Sequence, residues 1–257
     1  MSARLAASIL RNAVLAISLS LAVPALAQDL PDICSAPRSA LTLGAPLTRA
    51  GSLLLHGLPL RIVALGSSST AGVGASDAAH SYPAQLALEL KRRFPRSAIT
   101  VLNKGVSGEE TQDMLARFDR DVLAQSPDLV IWQVGSNEIL HKDGNLARFK
   151  REVLNGLARL KAAKIETVLM DAQYAPAILK NSEYPAFNDA LRQIAHTANI
   201  ALFDRFEAMR FWLASGHQKL SQMVSPDDVH MTDAGYHCVG RLLASLIASD
   251  LPTLASR

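Results

Sequence analysis

LRIVALGSSSTAG, residues 60–72, combines the two features that decide the fold: an apolar run and a serine cluster directly after it. The run LRIVAL has the length and the continuous apolar character of a strand that is buried on both faces. Four further runs of the same kind follow along the chain. They are AITVLN (98–103), DLVIWQV (128–134), ETVLMD (166–171) and IALFD (200–204).

Amphipathic helical patterns separate these runs and continue after the last one. We predict helices at 82–94, 110–124, 145–163, 185–198, 206–214 and 232–249. Strands that alternate with helices and read as continuous apolar runs are typical of parallel sheets covered on both faces. The sequence therefore predicts an α/β fold, a three-layer αβα sandwich with a doubly wound, mostly parallel five-stranded sheet. Ligands of such sheets bind outside the carboxyl ends of the strands.

The first residues have the composition of a secretory signal peptide. Arg4 and Arg11 precede the apolar run 13–23, and the small residues of ALA at 25–27 predict cleavage after Ala27. The run is short for a membrane span, although an uncleaved anchor is the alternative. We expect a periplasmic or secreted protein without a stable membrane span after cleavage.

The rest of the chain divides into two predicted regions. Residues 28–58 are rich in Pro, Ser, Ala and Leu without firm periodicity and are expected to form an N-terminal arm that lies over the domain. Residues 59–257 form the single domain. Without residues 1–27 the chain has 24 basic and 23 acidic residues, so we expect no nucleic-acid partner.

The two cysteines, Cys34 and Cys238, both follow the predicted signal peptide. An oxidising compartment would permit a disulfide between the arm and the last helix. A buried thiol at 238 with an exposed one at 34 is the alternative. The sequence contains no CxxC or HExxH pattern and no Cys/His cluster with metal spacing, so we expect no metal site.

Three candidate site residues follow three of the predicted strands, at the edge where ligands of such sheets bind. Ser68 lies in the connection after the first strand, Gly108 in NKGVSGEET after the second, and Asn137 in QVGSNE after the third. Each one alone is also typical of an ordinary turn. Together they predict a nucleophile, a close backbone approach and an amide donor at one edge of one sheet.

A fourth segment, SPDDVHMTDAGY, brings Asp227 and His230 together immediately before the closing helix. A serine hydroxyl is a poor nucleophile until a neighbouring base takes its proton, and that base works best when an acid fixes its tautomer. Asp227 and His230 can supply the acid and the base for Ser68. Asp228 is the alternative partner of the histidine.

With these residues the chain resembles the SGNH hydrolases, also called the GDSL esterase/lipase family, over residues 60 to 248. Ser68 matches the serine of block I, Gly108 the glycine of block II, Asn137 the asparagine of block III, and Asp227 with His230 the DxxH of block V. The resemblance implies a flavodoxin-like fold and a covalent acyl-serine intermediate. It also implies an oxyanion hole from the N–H groups of Ser68 and Gly108 and the side chain of Asn137, and no cofactor.

The chain departs from the family pattern at two positions. It has GSS where members usually have GDS, so Ser67 replaces an aspartate, and it has GSNE where members usually have GxND, so Glu138 replaces another. Neither change removes a catalytic group. Ser67, Glu138 and Tyr174 of MDAQYAP are possible substrate-lining residues, and a structural role is the alternative for the tyrosine.

The function predicted from the sequence is an exported serine esterase that hydrolyses a short-chain acyl ester of a small molecule or a glycan. An acyltransferase or deacylase acting on a carbohydrate or cell-envelope glycan is the alternative, followed by a non-catalytic carbohydrate-binding protein. Phosphoryl transfer is disfavoured, because GSSSTAG lacks the spacing and the lysine of a phosphate-binding loop.

Overall fold

The computed structural model describes residues 33–41, 46–141 and 144–249, and the predicted signal peptide lies outside the described residues. A parallel five-stranded sheet with the order β2-β1-β3-β4-β5 forms the centre. The strands are β1 (Leu60–Gly66), β2 (Ile99–Gly105), β3 (Leu129–Gln133), β4 (Glu166–Met170) and β5 (Ala201–Phe203). The predicted fold class and all five predicted strands are confirmed.

Twelve α-helices are assigned within the described residues. They are α1 (Thr48–Leu55), α2 (Ser68–Ala71), α3 (Tyr82–Arg93), α4 (Thr111–Ala116), α5 (Phe118–Asp121), α6 (Ser136–Leu140), α7 (Leu146–Ala162), α8 (Pro176–Leu179), α9 (Tyr184–Ala198), α10 (Arg205–Ala214), α11 (Leu220–Met223) and α12 (Asp233–Ser249). α1 and α3 pack with α12, and α7 packs with α4 and α9. None of the described helices is both long and apolar enough to span a bilayer.

The strand order places a topological switch point between β1 and β3. The chain leaves β1 towards β2 on one side and returns to β3 on the other, so the carboxyl ends of β1 and β3 flank a crevice. Ser68 follows β1 and Asn137 follows β3. The fold therefore brings two of the predicted site residues to the edge where such sheets bind their ligands.

All five residues of the central strand β3 are buried. Trp132 is fully buried and meets Phe118 at a ring-centroid distance of 5.6 Å. A Cβ atom at Gly156 of α7 would lie 2.2 Å from the Trp132 ring, so only glycine allows the helix to approach the strand this closely. This contact fixes α7 against the sheet.

The helix predicted over 110–124 is interrupted, and this part of the prediction is wrong. α4 ends before Arg117, α5 begins at Phe118, and a 3-10 turn covers Leu123–Gln125. Arg117 leaves the helical conformation, with φ −107° and ψ 9°, and its side chain is buried beneath the sheet edge. The break allows Arg117 to reach the end of β1 while Phe118 packs on Trp132.

The segment that precedes β1 is fastened to the domain at several points. Cys34 forms a disulfide with Cys238 of α12, with a Cα–Cα distance of 4.8 Å, which decides between the two alternatives for the cysteines. The backbone N–H groups of Arg49 and Ala50 donate to the Glu166 carboxylate at 2.7 and 2.8 Å. These bonds satisfy donors at the start of α1, a helix that the sequence pattern did not reveal.

Candidate active site

Ser68 is the serine of the cluster GSSST that reaches the surface. Ser67 and Ser69 are both 1% exposed, whereas Ser68 is half-buried at the start of α2. Its Oγ lies 2.7 Å from Nε2 of His230, a residue 162 positions later in the chain. The fold thus brings together the nucleophile and the base that the sequence predicted.

His230 contacts an acid on its other side. Its Nδ1 lies 2.6 Å from Oδ2 of Asp227. A carboxylate can only accept, so Nδ1 carries the hydrogen and Nε2 is left to accept from the Ser68 hydroxyl. This is the tautomer that a general base for Ser68 requires.

The loop that carries Asp227 is held by that residue's own carboxylate. Oδ1 accepts from the N–H groups of Val229 and His230, each at 2.9 Å, and from the Ser225 hydroxyl at 2.7 Å. Burial acts to raise the pKa of Asp227, but hydrogen bonds from His230, Ser225 and the backbone outweigh it and hold that pKa below its ordinary value. Asp227 is therefore ionised and available to the imidazolium.

Asp228, the alternative partner, is directed elsewhere. Its backbone has a φ of +63°, and its carboxylate lies 3.9 Å from Nζ of Lys180. The turn at Asp228 separates the two neighbouring aspartates, and the structure selects Asp227 as the partner of His230.

Asn137 lies near the start of α6 and is 7% exposed. Its Nδ2 donates to the backbone oxygen of Glu109 at 2.7 Å. An amide nitrogen has two hydrogens, so one remains available for a ligand. The bond also orients the amide, because a carbonyl oxygen can only accept.

Gly108 precedes Glu109 in the same connection and has a φ of +82°. Such a conformation favours glycine, and a Cβ atom here would meet nothing within 4 Å, so the residue borders open space. Within the described residues, the N–H groups of Ser68 and Gly108 have no hydrogen-bond acceptor. Both donors are therefore available to a ligand.

Arg117 ties this connection to the end of β1. Its guanidinium donates to the carboxylate of Glu109 at 2.7 Å and to the backbone oxygen of Gly66 at 3.2 Å. It also pairs with Asp121 at 3.0 Å. Arg117 is not among the site residues predicted from the sequence, although an arginine on the apolar side of a predicted amphipathic helix is a signal for a buried ion pair.

Two of the predicted substrate-lining residues do not face a crevice. Ser67 is buried and donates to Oε1 of Gln133 through its N–H at 2.9 Å and its hydroxyl at 3.1 Å. Glu138 is 2% exposed and accepts from the N–H and the hydroxyl of Thr111 at 2.6 and 2.5 Å. Burial raises the pKa of Glu138, and the bonds from Thr111 offset this only in part. Both side chains hold the loops of the site from within.

Tyr174, the third predicted lining residue, is partly buried. Its ring meets that of Phe206 edge-on at a centroid distance of 5.1 Å. Tyr174 thus has the structural role that was the alternative prediction for it. A contact of Tyr174 with substrate stays a prediction.

A cavity of about 610 Å³ lies at a different place, beside β5. It is lined by Arg192, His196, Asp204 and Glu207 among others, and not by Ser68 or His230. The site is therefore recognised by the chemistry of its side chains and not by the size of a cavity. In the described parts of the chain no group of three His, Cys, Asp or Glu residues is arranged to hold a metal ion.

A match to a family model shows which protein family the chain belongs to. Residues 33–252 match the model of the non-GDSL lipase-like family. The chain belongs to this family. The predicted membership of the SGNH hydrolases is thereby confirmed.

Known relatives of this family member include esterases. An acetylxylan esterase of Geobacillus stearothermophilus is 42% identical over 50 residues, which cover 20% of this chain and 23% of the relative. The structure of a two-domain esterase active on acetylated mannans superposes with a TM-score of 0.68 at 20% identity, over 83% of this chain and 56% of the other. The chain thus spans little more than half of that esterase.

A third comparison covers nearly the whole of the other protein. The structure of a catalytic mutant of Axe2, an acetylxylan esterase from Geobacillus stearothermophilus, superposes with a TM-score of 0.63 at 21% identity, over 73% of this chain and 94% of the other. At this level of identity the likeness establishes the shared fold.

Proposed function

We propose that this protein is an exported serine esterase that removes short acyl groups, acetyl above all, from an acylated carbohydrate. The observation that carries the proposal is the unbroken contact from Ser68 Oγ through His230 to Asp227, at 2.7 and 2.6 Å, beside unpaired hydrogen-bond donors. These are the distances at which a base can take the proton of a nucleophile and an acid can orient the base.

The first half-reaction forms the acyl-enzyme. Nε2 of His230 takes the proton of Ser68 while Oγ attacks the ester carbonyl carbon, and Asp227 stabilises the imidazolium that forms. The tetrahedral intermediate places a negative charge on the former carbonyl oxygen. As it collapses, the bond to the sugar oxygen breaks, and His230 gives its proton to that oxygen.

The second half-reaction repeats these steps with water. His230 takes a proton from water, the hydroxide attacks the acyl carbon, and the bond to Ser68 Oγ breaks as His230 returns the proton to that oxygen. The products are the free carboxylic acid and the original enzyme. A sugar hydroxyl in place of water would make the same chain a transferase.

The oxyanion of both half-reactions would be met by three donors. These are the N–H of Ser68, the N–H of Gly108 and the second amide hydrogen of Asn137. Donors held in place before the reaction stabilise the developing charge without having to reorganise, and each is typically worth on the order of 10²–10³ in turnover. The bonds from Asn137 and Arg117 to Glu109 support this preorganisation.

The substrate class is supported by the relatives. Those described above act on acetylated xylan or acetylated mannans, and catalytic mutants of Axe2 exchange a serine, an aspartate or a histidine for alanine. Export is supported by the predicted signal peptide and by the disulfide of Cys34 with Cys238, since disulfides persist in oxidising compartments.

A substrate series tests the proposal. We expect the wild-type protein to hydrolyse p-nitrophenyl acetate faster than the butyrate and octanoate esters, and to release acetate from acetylated xylo- or manno-oligosaccharides. Ser68→Ala should reduce kcat by on the order of 10³-fold or more, because the nucleophile is lost. Ser69→Ala is the matched control, since the buried hydroxyl of Ser69 has no hydrogen-bond partner among the described residues.

Equal hydrolysis by the wild type and Ser68→Ala would contradict the mechanism. Absence of hydrolysis with every ester would contradict the function. If acetyl is transferred to an added sugar faster than to water, the protein is an acyltransferase and not an esterase.

A further inference from the structure

A buried polar network runs behind the candidate active site. The residues that directly precede Ser68, Asn137 and His230 in the chain all belong to it. These predecessors are Ser67, Ser136 and Val229. The network therefore touches the backbone or side chain next to the predicted nucleophile, the predicted oxyanion donor and the predicted base.

Gln133, at the end of β3, forms the first half of the network. Its Oε1 accepts from the N–H and the hydroxyl of Ser67 and from the hydroxyl of Thr70, at 2.9 to 3.1 Å. Its Nε2 lies 3.2 Å from the hydroxyl oxygen of Ser136 and donates to it. One amide thus joins the segment before Ser68 to the segment before Asn137.

Gln173, which follows β4, forms the second half. Its Oε1 accepts from the hydroxyl of Ser136 and from Nη2 of Arg205, both at 2.9 Å, and its Nε2 donates to the backbone oxygen of Val229 at 2.9 Å. An arginine can only donate and a carbonyl oxygen can only accept, so the orientation of the amide is fixed by its partners.

Both glutamines are enclosed by protein. Gln133 and Gln173 are each 1% exposed, and Arg205 is fully buried. Arg205 also donates to the backbone oxygen of Asp171 at 2.7 Å through Nη2. A buried amide that loses a partner has no water to replace it, so the network holds its members in one arrangement.

The loop that carries His230 has other attachments of a different kind. The N–H of Ser225 donates to the backbone oxygen of His230 within the loop, and the N–H of Ala177 donates to the backbone oxygen of Asp228. These bonds set the shape of the loop and its contact with α8. Gln173 adds the side-chain link from the loop to the network that also holds Ser67.

We propose that Gln173 is a positioning residue, which sets the imidazole of His230 against the hydroxyl of Ser68 through the backbone of Val229. The proposal rests on the proposed function. Its physical basis is the steep dependence of the chemical step on placement, since a displacement of about 1 Å can cost on the order of 10²-fold in rate. Gln173 does not touch the reacting atoms, and it acts on kcat through the loop.

Two variants of Gln173 separate positioning from stability. Gln173→Glu keeps an oxygen for Ser136 and places a carboxylate beside the Arg205 guanidinium, which favours the ionised form, and the second oxygen of an ionised carboxylate cannot donate to Val229. We expect it to unfold at the temperature of the wild type or higher and yet to lose 10- to 100-fold in kcat on p-nitrophenyl acetate, with KM changed less than twofold. Gln173→Met fills the same volume without polar atoms and should lose kcat to a similar extent.

The rate at which Ser68 reacts with a fluorophosphonate provides a second measurement. It should fall in parallel with kcat in both variants, because the probe also depends on the contact of Ser68 with His230. Gln218→Met is the matched control. Gln218 is 4% exposed and donates to Cys238 Sγ at 3.2 Å and to the backbone oxygen of Ile33 at 3.4 Å, neither of which belongs to the network, so its replacement should leave kcat unchanged.

The outcomes distinguish this proposal from the proposed function. A wild-type protein that neither hydrolyses esters nor reacts with the probe would overturn the function itself. An active wild type with a folded Gln173→Glu whose kcat and labelling rate stay within twofold of it would overturn the role of Gln173 alone. If Gln173→Met fails to fold, Gln173→Glu decides, because it retains the contact with Arg205.

Discussion

Asn137 has two amide hydrogens, and the backbone oxygen of Glu109 accounts for one of them. The other is the donor that the proposed mechanism needs. The same bond fixes which end of the side chain carries the nitrogen, so the amide is oriented before any substrate arrives. A donor held in this way acts on the oxyanion of the transition state more than on the neutral ester.

We therefore expect Asn137→Ala to lower kcat by on the order of 10²–10³-fold with little change in KM, measured with p-nitrophenyl acetate. Asn145→Ala is the control, because Asn145 caps α7 by accepting from the N–H of Arg148. It should cost about 1 kcal/mol of stability and no activity. An unchanged kcat in Asn137→Ala would remove this residue from the oxyanion hole.

The sequence identified Ser68, Asp227 and His230 because each residue type has a specific place in acyl-transfer chemistry. Their proximity in the structure is as expected, and their catalytic roles stay predictions. The sequence favoured Asp227 and kept Asp228 as the alternative, because the turn that separates them depends on the left-handed conformation of Asp228. Gln133 and Gln173 went unnoticed, although a glutamine at the end of an apolar strand is a signal for buried partners.

At the scale of elements, the strands were predictable because four to six consecutive apolar residues between helical patterns have few other solutions. The short helices α2 and α6 were not, since four or five residues are too few to show a period. Isolated helices of this length are unstable, so these two depend on tertiary contacts. Because α2 and α6 carry Ser68 and Asn137, the sequence pattern did not predict the exact geometry of the site.

The break between α4 and α5 has the same origin. The apolar period over 110–124 predicts one helix, but Arg117 leaves the helical conformation and forms bonds to Glu109 and Gly66. The buried ion pair of Arg117 with Glu109 outweighs the local periodicity. Removal of one partner of such a pair destabilises a protein by about 3–5 kcal/mol. The helix is interrupted where Arg117 binds Glu109, and this bond holds the connection that carries Gly108.

At the scale of the whole molecule, the disulfide joins residues 204 positions apart. It ties the segment before β1 to α12, the helix that follows the His230 loop. In the chain-entropy account a crosslink that closes so long a loop stabilises the folded state by restricting the unfolded one, in practice by about 2–5 kcal/mol.

We expect the free energy of unfolding of the double variant Cys34→Ser/Cys238→Ser to be about 2–5 kcal/mol lower than that of the wild type, measured by denaturant unfolding. The kcat of the folded molecules should be unchanged. Dithiothreitol should lower the stability of the wild type to that of the double variant and should not affect the variant. Two free thiols in the oxidised, folded wild type would contradict the assignment.

In the proposed mechanism, distant parts of the chain meet to make the hydroxyl of Ser68 a nucleophile. The most direct measurement is the mass spectrum of the protein after reaction with a fluorophosphonate, with fragmentation of the peptide that contains the serine cluster. We predict one adduct per molecule, on Ser68, absent from Ser68→Ala and strongly reduced in His230→Ala. A folded, ester-active protein that carries the label on another residue, or no label, would rule out Ser68 as the nucleophile.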